Sequence, residues 1–431
     1  MHPRLQSARL FAIVLVLGTL AAFPTRAAQT PAREPLHWWK GNLHTHSLWS
    51  DGDDFPEMII EWYKTNEYQF LALSDHNTLQ KGVRWITVTN AAREAVFKKY
   101  VARHGPDWAQ RRITNGVPQV RLKTLDEFRG LFEERHRFLL IPSEEITDKF
   151  KKHEIHINAT NVRDLIKPRG GTNVTDAIQR DIDAVLRQGR GFGQPMFPHV
   201  NHPNFGWSIT AEDLMPLRGE KFFEIYNGHP SVRNEGDAHH ASIERIWDVL
   251  LAFRLTELGL GPLYGLAVDD SHQYQRFTRT NSNPGRGWVV VRAARLWASS
   301  LMAAMEAGDF YASSGVRMKN IERSGRGLAL EIDAEAGVEY TTQFIGTLRG
   351  FDPSSSPGPQ PTNSPLPVTR IYSSEIGTVL SEVRGPRADY VFHGDELYVR
   401  ARIVSTKPKA NPYARNEFER AWIQPVVAPE P

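Results

Sequence analysis

The chain has 431 residues, 40% hydrophobic and 23% charged, with a net charge of +3 and no cysteine. That length exceeds one ordinary domain, and the composition suits a globular protein with real cores. A near-neutral charge without a Lys/Arg stripe argues against nucleic acid as the main partner, and the lack of cysteine excludes disulfide staples and a lipidated cysteine.

In chain order, the N-terminus reads as a targeting segment. Arg4 and Arg9 precede a short apolar run over 10–23, and Thr25-Arg26-Ala27 offers small residues for cleavage. A signal peptide over 1–27 is expected, with export to a periplasm or the medium. The apolar run is too short to cross a bilayer comfortably, so no membrane span is expected once it is removed.

From 38 to 315 short apolar runs alternate with amphipathic stretches, the pattern of an α/β architecture with a largely parallel sheet. Strands are expected over 40–45, 70–74, 137–141, 156–159, 196–200, 222–226, 263–268 and 287–291. Helices are expected over 56–66, 91–103, 124–135, 175–188, 240–258 and 293–307. The connection over 80–119 is long and should contain helices that cap or line a site. Residues 316–431 read as a small β-rich C-terminal domain, with strands over 328–332, 338–347, 369–372, 396–405 and 419–426. Within it, 351–368 is a Pro- and Ser-rich loop.

The chemistry is concentrated at the ends of these strands. In HTHSLWSDG, His44 and His46 lie two apart, so both imidazoles leave one face of a strand. Asp51 follows on a Ser-Asp-Gly turn that can fold a carboxylate back toward the pair. LALSDHNT then delivers Asp75 and His76. Four further phrases carry ligand types: Glu144-Glu145 after 139–143, His153 and His156, His199 and His202, and Asp269-Asp270-Ser271-His272. Neutral imidazoles with carboxylates suit zinc, iron or manganese. Asp75 and Asp269 each adjoin a ligand candidate on a strand, where neighbours face opposite ways, so a role orienting an imidazole suits them better. His199 reads as a supporting or core residue. Asn201 and Asn227-Gly228-His229 lie at strand ends within reach of a substrate, and His239-His240 should start a helix in solvent.

These six phrases, in this order, resemble the PHP (polymerase and histidinol phosphatase) family of metal-dependent phosphoesterases, above all its secreted CehA/McbA-like branch. The likeness runs from 40 to 315, and YVRA at 398–401 and AWIQP at 421–425 look like that branch's C-terminal β domain. The resemblance implies a distorted (β/α)7-type PHP barrel holding two or three divalent ions. A first ion would take His44, His46, Asp270 and a shared Glu145. A second would take Asp51, His76 and His272, and a third Glu145, His156 and His202. The motif selects Glu145 over Glu144 and His202 over His199. Of the nine, His44, His46, Asp51, His76, Glu145, Asp270 and His272 are the expected catalytic set. Many members follow the proline after His202 with Gly-Arg, whereas this chain has Asn204-Phe205.

Six imidazoles and three carboxylates bring charge −3 against +6 for three divalent ions. The surplus suits hydroxide and an anionic ester, and two bridged metals can both activate water and clamp the reacting oxygens. The expectation is an exported hydrolase that cleaves small phosphate mono- or diesters with metal-activated hydroxide. A carboxylic or carbamic ester hydrolase using the same ions is the alternative, and a non-catalytic binding module is the third reading.

Overall fold

The computed structural model describes residues 34–362, 364 and 366–430. The expected signal peptide lies outside them. From Leu36 onward the chain is one compact unit.

Thirteen strands form one large sheet. In chain order we label them β1 (His37–Asn42), β2 (Phe70–Leu73), β3 (Leu139–Phe150), β4 (His153–Thr160), β5 (Phe197–Val200), β6 (Phe222–Asn227), β7 (Tyr264–Val268), β8 (Trp288–Ala293), β9 (Phe310–Ser313), β10 (Tyr340–Leu348), β11 (Thr378–Arg384), β12 (Glu396–Pro408) and β13 (Phe418–Val427). Their order is β7-β6-β5-β4-β3-β2-β1-β8-β9-β13-β12-β10-β11. Central strands such as β2, Phe-Leu-Ala-Leu, are buried along their whole length, as a strand covered on both faces must be. Beyond the regular ladders, Thr45 bridges Ser271, and Asp270 N–H donates to the His44 carbonyl at 3.0 Å. The segments leaving β1 and β7 therefore meet, although five strands lie between them in the sheet order.

The sheet is mixed, which corrects the largely parallel expectation. β1–β2, β2–β3, β5–β6 and β6–β7 run parallel, but β4 is antiparallel to both β3 and β5. The cause is a tight Lys151-Lys152 turn, with Lys151 at φ 54°, that folds β3 directly back as β4. β3 is also far longer than 137–141. Its polar second half, Glu144 to Phe150, is strand because β4 pairs with it residue by residue.

Among the helices that pack against the strands, three frame the site and the tail. α1 (Pro56–Thr65) starts with Pro at its first turn and buries Ile59, Ile60 and Tyr63. α2 (Val174–Phe192) is capped by the Asn173 side chain and ends at Gly193 in the left-handed region, φ 60°. α3 (Ile243–Leu255) is capped by Ser242. The helix expected from His240 starts three residues later because Asp237 binds the His240 ring and backbone in a turn. The 80–119 connection holds one helix, Ala91–His104, and a three-stranded antiparallel sheet with it (Arg84–Thr87, Arg111–Thr114 and Val117–Leu122). The hairpin turns on Asn115-Gly116, both at positive φ, which is strong two-residue turn chemistry.

In the tail, β13 pairs with β9, so β13, β12, β10 and β11 prolong the large sheet. They are locked to α3 by a buried ion pair. Arg400 on β12 makes a two-pronged contact with Asp248, at 2.8 and 2.6 Å, with Tyr398 donating to the same carboxylate at 2.8 Å and Glu244 one turn away. Removing one partner of a buried pair strands the other charge, at a cost of about 3–5 kcal/mol. Asp248→Ala should therefore lower the denaturant midpoint sharply. An unchanged midpoint would show that the pair does not hold the tail.

Candidate metal centre

The fold brings all nine expected ligands to one place. His44 and His46 follow β1, and His76 follows β2. Glu145 lies on β3 where it bridges His76, and His156 is on β4. His202 follows β5, while Asp270 and His272 follow β7. The turn carrying Asp51 returns beneath His46. Gly52 N–H donates to the Ser47 carbonyl at 3.0 Å, and a Cβ at Gly52 would lie 2.7 Å from the His46 backbone, so only glycine fits there.

Strand alternation decides which of each acidic pair faces the cluster. Glu145 stands opposite Asn158, and Thr147 opposite His156, so these four share one face. Glu144 points the other way and accepts from the Ile166 N–H at 2.6 Å. Asp75 likewise faces away from the imidazoles. It accepts from Ser47 N–H and Oγ, Ser50 Oγ and Gln80 Nε2. Asp269 accepts from Tyr63 Oη and the Arg286 and Gly287 N–H groups. Both carboxylates therefore brace the loops carrying the ligands and orient no imidazole, which corrects the role expected for them.

The imidazoles are oriented by other groups. Glu224 Oε1 accepts from His44 Nδ1 at 2.6 Å and lies 3.3 Å from His199 Nε2, while Glu224 Oε2 accepts from the His202 and Asn227 side of the site. Thr147 Oγ1 lies 2.6 Å from His76 Nδ1, and the Asp270 carbonyl 3.0 Å from His272 Nδ1. Such partners set ring orientation and tautomer and leave Nε2 free toward a metal. The carboxylates are steadied too: Asn201 donates to Glu145 at 2.7 Å and Asn227 to Asp270 at 3.1 Å. Sequence reasoning missed Glu224. Its signal was a lone acid inside the apolar run Phe222-Phe223-Glu224-Ile225-Tyr226, on a fully buried strand.

Five groups of three or four ligand atoms lie mutually within 4.8 Å: His46–Asp51–His76–His272, His44–His46–Glu145, His44–His202–Asp270, His76–Glu145–His156 and His44–His199–Glu224. They partly redraw the expected sets, because His46 adjoins Asp51 as well as His44, and His202 sits with Asp270. The first four groups describe one continuous cluster.

The donor set fits metal ions. His46 Nδ1, Glu145 Oε2 and His156 Nδ1 are buried without a well-directed hydrogen bond among the described residues, although Glu145 Oε2 stands 2.8 Å from His76 Nδ1 and His156 Nδ1 3.0 Å from Glu145 Oε1. Orphaned buried polar atoms are costly unless something else satisfies them. His44 Nε2 lies 3.1 Å from His46 Nε2, 3.3 Å from Asp270 Oδ1 and 3.4 Å from Glu145 Oε1. His76 and His272 Nε2 lie 3.5 and 3.4 Å from Asp51 Oδ2. Two ligands bound to one ion at metal–ligand lengths stand about 3.4 Å apart in tetrahedral geometry.

Without bound cations the cluster holds protons instead. Burial opposes charging His44, but the Asp270, Glu224 and Glu145 carboxylates outweigh it and hold the ring well above the ordinary histidine value. His76, also working against burial, is raised to about 11, chiefly by Glu145 and Asp51. His272 is raised, again against burial, by Asp51 and Asp270. His46 is pushed down to about 3 by burial, with His272 and His76 adding repulsion. Burial works against Glu145 and Asp270 as well, yet the surrounding imidazoles hold both well below the usual carboxylate range.

No family model matches the chain, and no curated protein matches it. Among solved structures, the chain is similar to the crystal structure of a two-domain protein containing a predicted PHP-like metal-dependent phosphoesterase from Bacteroides vulgatus. The identity is 14%, over 90% of this chain and 95% of that one, with a TM-score of 0.38.

Metal ligation needs neutral imidazoles, so cations must displace the protons held on His44, His76 and His272. Affinity for Zn or Mn should therefore rise with pH, and loading at pH 7 should release protons, read by calorimetry in buffers of differing ionisation heat. The metal-free fold behaves oppositely. Stabilisation from these raised groups is present below the unfolded value near 6.5 and fades as pH climbs through the folded values. Loading without proton release would contradict this account.

Proposed function

We propose that this chain is an exported hydrolase of the PHP type, which uses two or three divalent ions (Zn, Mn or Fe) to cleave a phosphate ester of a small anionic molecule. The observation that carries the reading is the convergence of six imidazoles with Glu145, Asp270 and Asp51 around a buried floor, where several ligand atoms have no well-directed hydrogen bond among the described residues. In this reading the seven strands from β7 to β1, brought end to end by the Thr45–Ser271 bridge, form the distorted (β/α)7-type barrel. The site then lies where barrel enzymes build theirs, beyond the carboxyl ends of the parallel strands. The β-rich tail after residue 315 braces that barrel through β9 and α3.

Divalent ions held there supply Lewis acidity toward the ester oxygens and a water of lowered pKa. The chain supplies the rest. His44, His46, Glu145 and Asp270 form the buried floor, at 0, 0, 1 and 6% side-chain exposure. Asp51, His76 and His272 stand at the open side, at 53, 26 and 12%. A substrate must therefore approach from the Asp51 side. Glu224, Thr147, Asn201 and Asn227 hold rings and carboxylates in one geometry, so little reorganisation is required during reaction.

A carboxylic or carbamic ester is favoured as the second reading by one feature. At the position after Pro203, where many PHP members carry Gly-Arg, Asn204 is tied to the Arg233 and Ala241 carbonyls and the Phe205 ring lies tilted against His202, 5.1 Å between centroids. That segment brings no cation to a phosphate.

His44→Ala or Asp270→Ala should reduce hydrolysis of 4-nitrophenyl phosphate to background with the fold intact by circular dichroism. Glu224→Gln should cost about 10- to 100-fold in metal affinity or turnover. Activity surviving in both ligand variants would end the assignment. Parallel assays with 4-nitrophenyl phosphate, bis(4-nitrophenyl) phosphate and an aryl carbamate separate the two ester classes. For export, the mass of protein recovered outside the cytoplasm should lack residues 1–27, and an intact N-terminus there would exclude cleavage.

A further inference from the structure

Five rings close a circuit around the mouth of the cluster. The centroids of His76 and His156 are 5.5 Å apart, His156 and Phe205 6.1 Å, Phe205 and His229 6.0 Å, His229 and His272 5.5 Å, and His272 and His76 6.2 Å. His76, Phe205, His229 and His272 are half-buried, whereas His156 is buried like the floor of His44, His46, Glu145 and Asp270. His76, His156 and His272 belong to groups able to hold a metal; Phe205 and His229 belong to none. Phe205 has no polar side-chain atom. That leaves His229 as the rim group able to address a substrate oxygen without giving up a metal.

The local backbone fixes which nitrogen of His229 carries the proton. Ser231 N–H donates to His229 Nδ1 at 3.1 Å, so Nδ1 is an acceptor and the ring is the neutral tautomer with its proton on Nε2. Nε2 has no hydrogen-bond partner among the described residues and is not sealed from solvent. The backbone that carries the ring is also anchored. His229 N–H donates to Asn227 Oδ1 at 2.8 Å, Gly228 N–H to the Val268 carbonyl at 2.9 Å, and the His229 carbonyl accepts from Val232 N–H at 3.0 Å. Val232 in turn bridges Phe205, which ties both non-ligand members of the rim together. Asn227 also donates to Asp270 Oδ2, so the residue that positions His229 touches the floor as well. A histidine serving only to pack would not need a fixed tautomer with its donor left open at the mouth.

We propose that His229 is a substrate-contacting residue, its Nε2–H donating to an oxygen of the anionic group that the cluster binds. It would supply the directed contact that Asn204-Phe205 does not. The turnover part of this inference rests on the hydrolase reading; the binding part does not.

The test uses the full chain loaded with Mn or Zn, with inorganic phosphate as the binding probe and 4-nitrophenyl phosphate as the turnover probe. His229→Ala should keep wild-type metal content and weaken phosphate binding, read by calorimetry, by about 10- to 100-fold, the worth of a hydrogen bond to a charged group. kcat/KM should fall by a similar factor. His229→Gln places an amide donor near the former Nε2 and should recover most of the loss, whereas His229→Asn, whose amide stops near Nδ1, should not. Lost metal in His229→Ala, phosphate affinity unchanged from wild type, no phosphate binding by the loaded wild type, or equal behaviour of the Gln and Asn variants would each overturn the proposal. A wild type that binds phosphate but turns over no ester would sink the hydrolase reading alone, with the affinity series still deciding His229.

Discussion

Everything about the site follows from burying the Glu145, Asp270 and Glu224 carboxylates beside six imidazoles. In a low-dielectric interior such carboxylates cannot stay charged without compensation. Imidazoles can supply it in two ways, by taking protons or by sharing cations. His44 and His76 show the first, with ring values held above ordinary histidine. The second is written in the geometry, where ring nitrogens and carboxylate oxygens face one another at 2.8–3.6 Å and several buried ligand atoms lack a well-directed hydrogen bond. His46 shows why protons alone are a poor solution. Its ring is stacked 4.0 Å from His272 and cannot take a charge beside it.

Holding such a cluster demands rigidity from the layers behind it. Asp75 and Asp269 do this by binding backbone and hydroxyl groups of the loops after β1 and β7. Glu224 does it through His44, His199 and the His202 backbone. At the far side, Arg400 and Asp248 fasten the last strands to α3, so the tail supports the element behind β6 and β7 rather than the cluster itself. The rim is lighter: Phe205 and His229 are fixed by short backbone contacts and partly exposed. A buried floor with an open rim of rings is the arrangement expected where one side binds ions and the other meets a ligand.

Much of this was legible because the chemistry is local. HTH and DxH each space two ligand types to share a face, SDG puts a carboxylate on a turn, and SDH delivers a histidine at a strand end, whatever the rest of the fold does. The central strands were legible as apolar runs, and α1 to α3 through their amphipathic periodicity. The polar half of β3 was not, because strand there is imposed by its partner β4 and not by its own residues. The sheet over 84–122 was missed although Asn115-Gly116 announces a hairpin. Its strands, such as Arg111-Arg112-Ile113-Thr114, are exposed and too short to show a period. Glu224 was overlooked because an acid in an apolar run has no meaning until its neighbours across the sheet are known.

The sequence by itself determined the inventory: which residues can ligate, and that they fall at or near strand ends. The two-residue period that any strand obeys set Asp270 with His272, whereas the choice of Glu145 over Glu144 came from the family resemblance, and the register of β3 on β4 supplies its physical reason. Only the tertiary structure decided the partition, setting His46 beside Asp51 and His202 beside Asp270. It also decided the supporting carboxylate Glu224 and the orientation of His229. These depend on how β1, β6 and β7 are brought together across the sheet, over separations of about 180 to 230 residues, a relation no local spacing encodes.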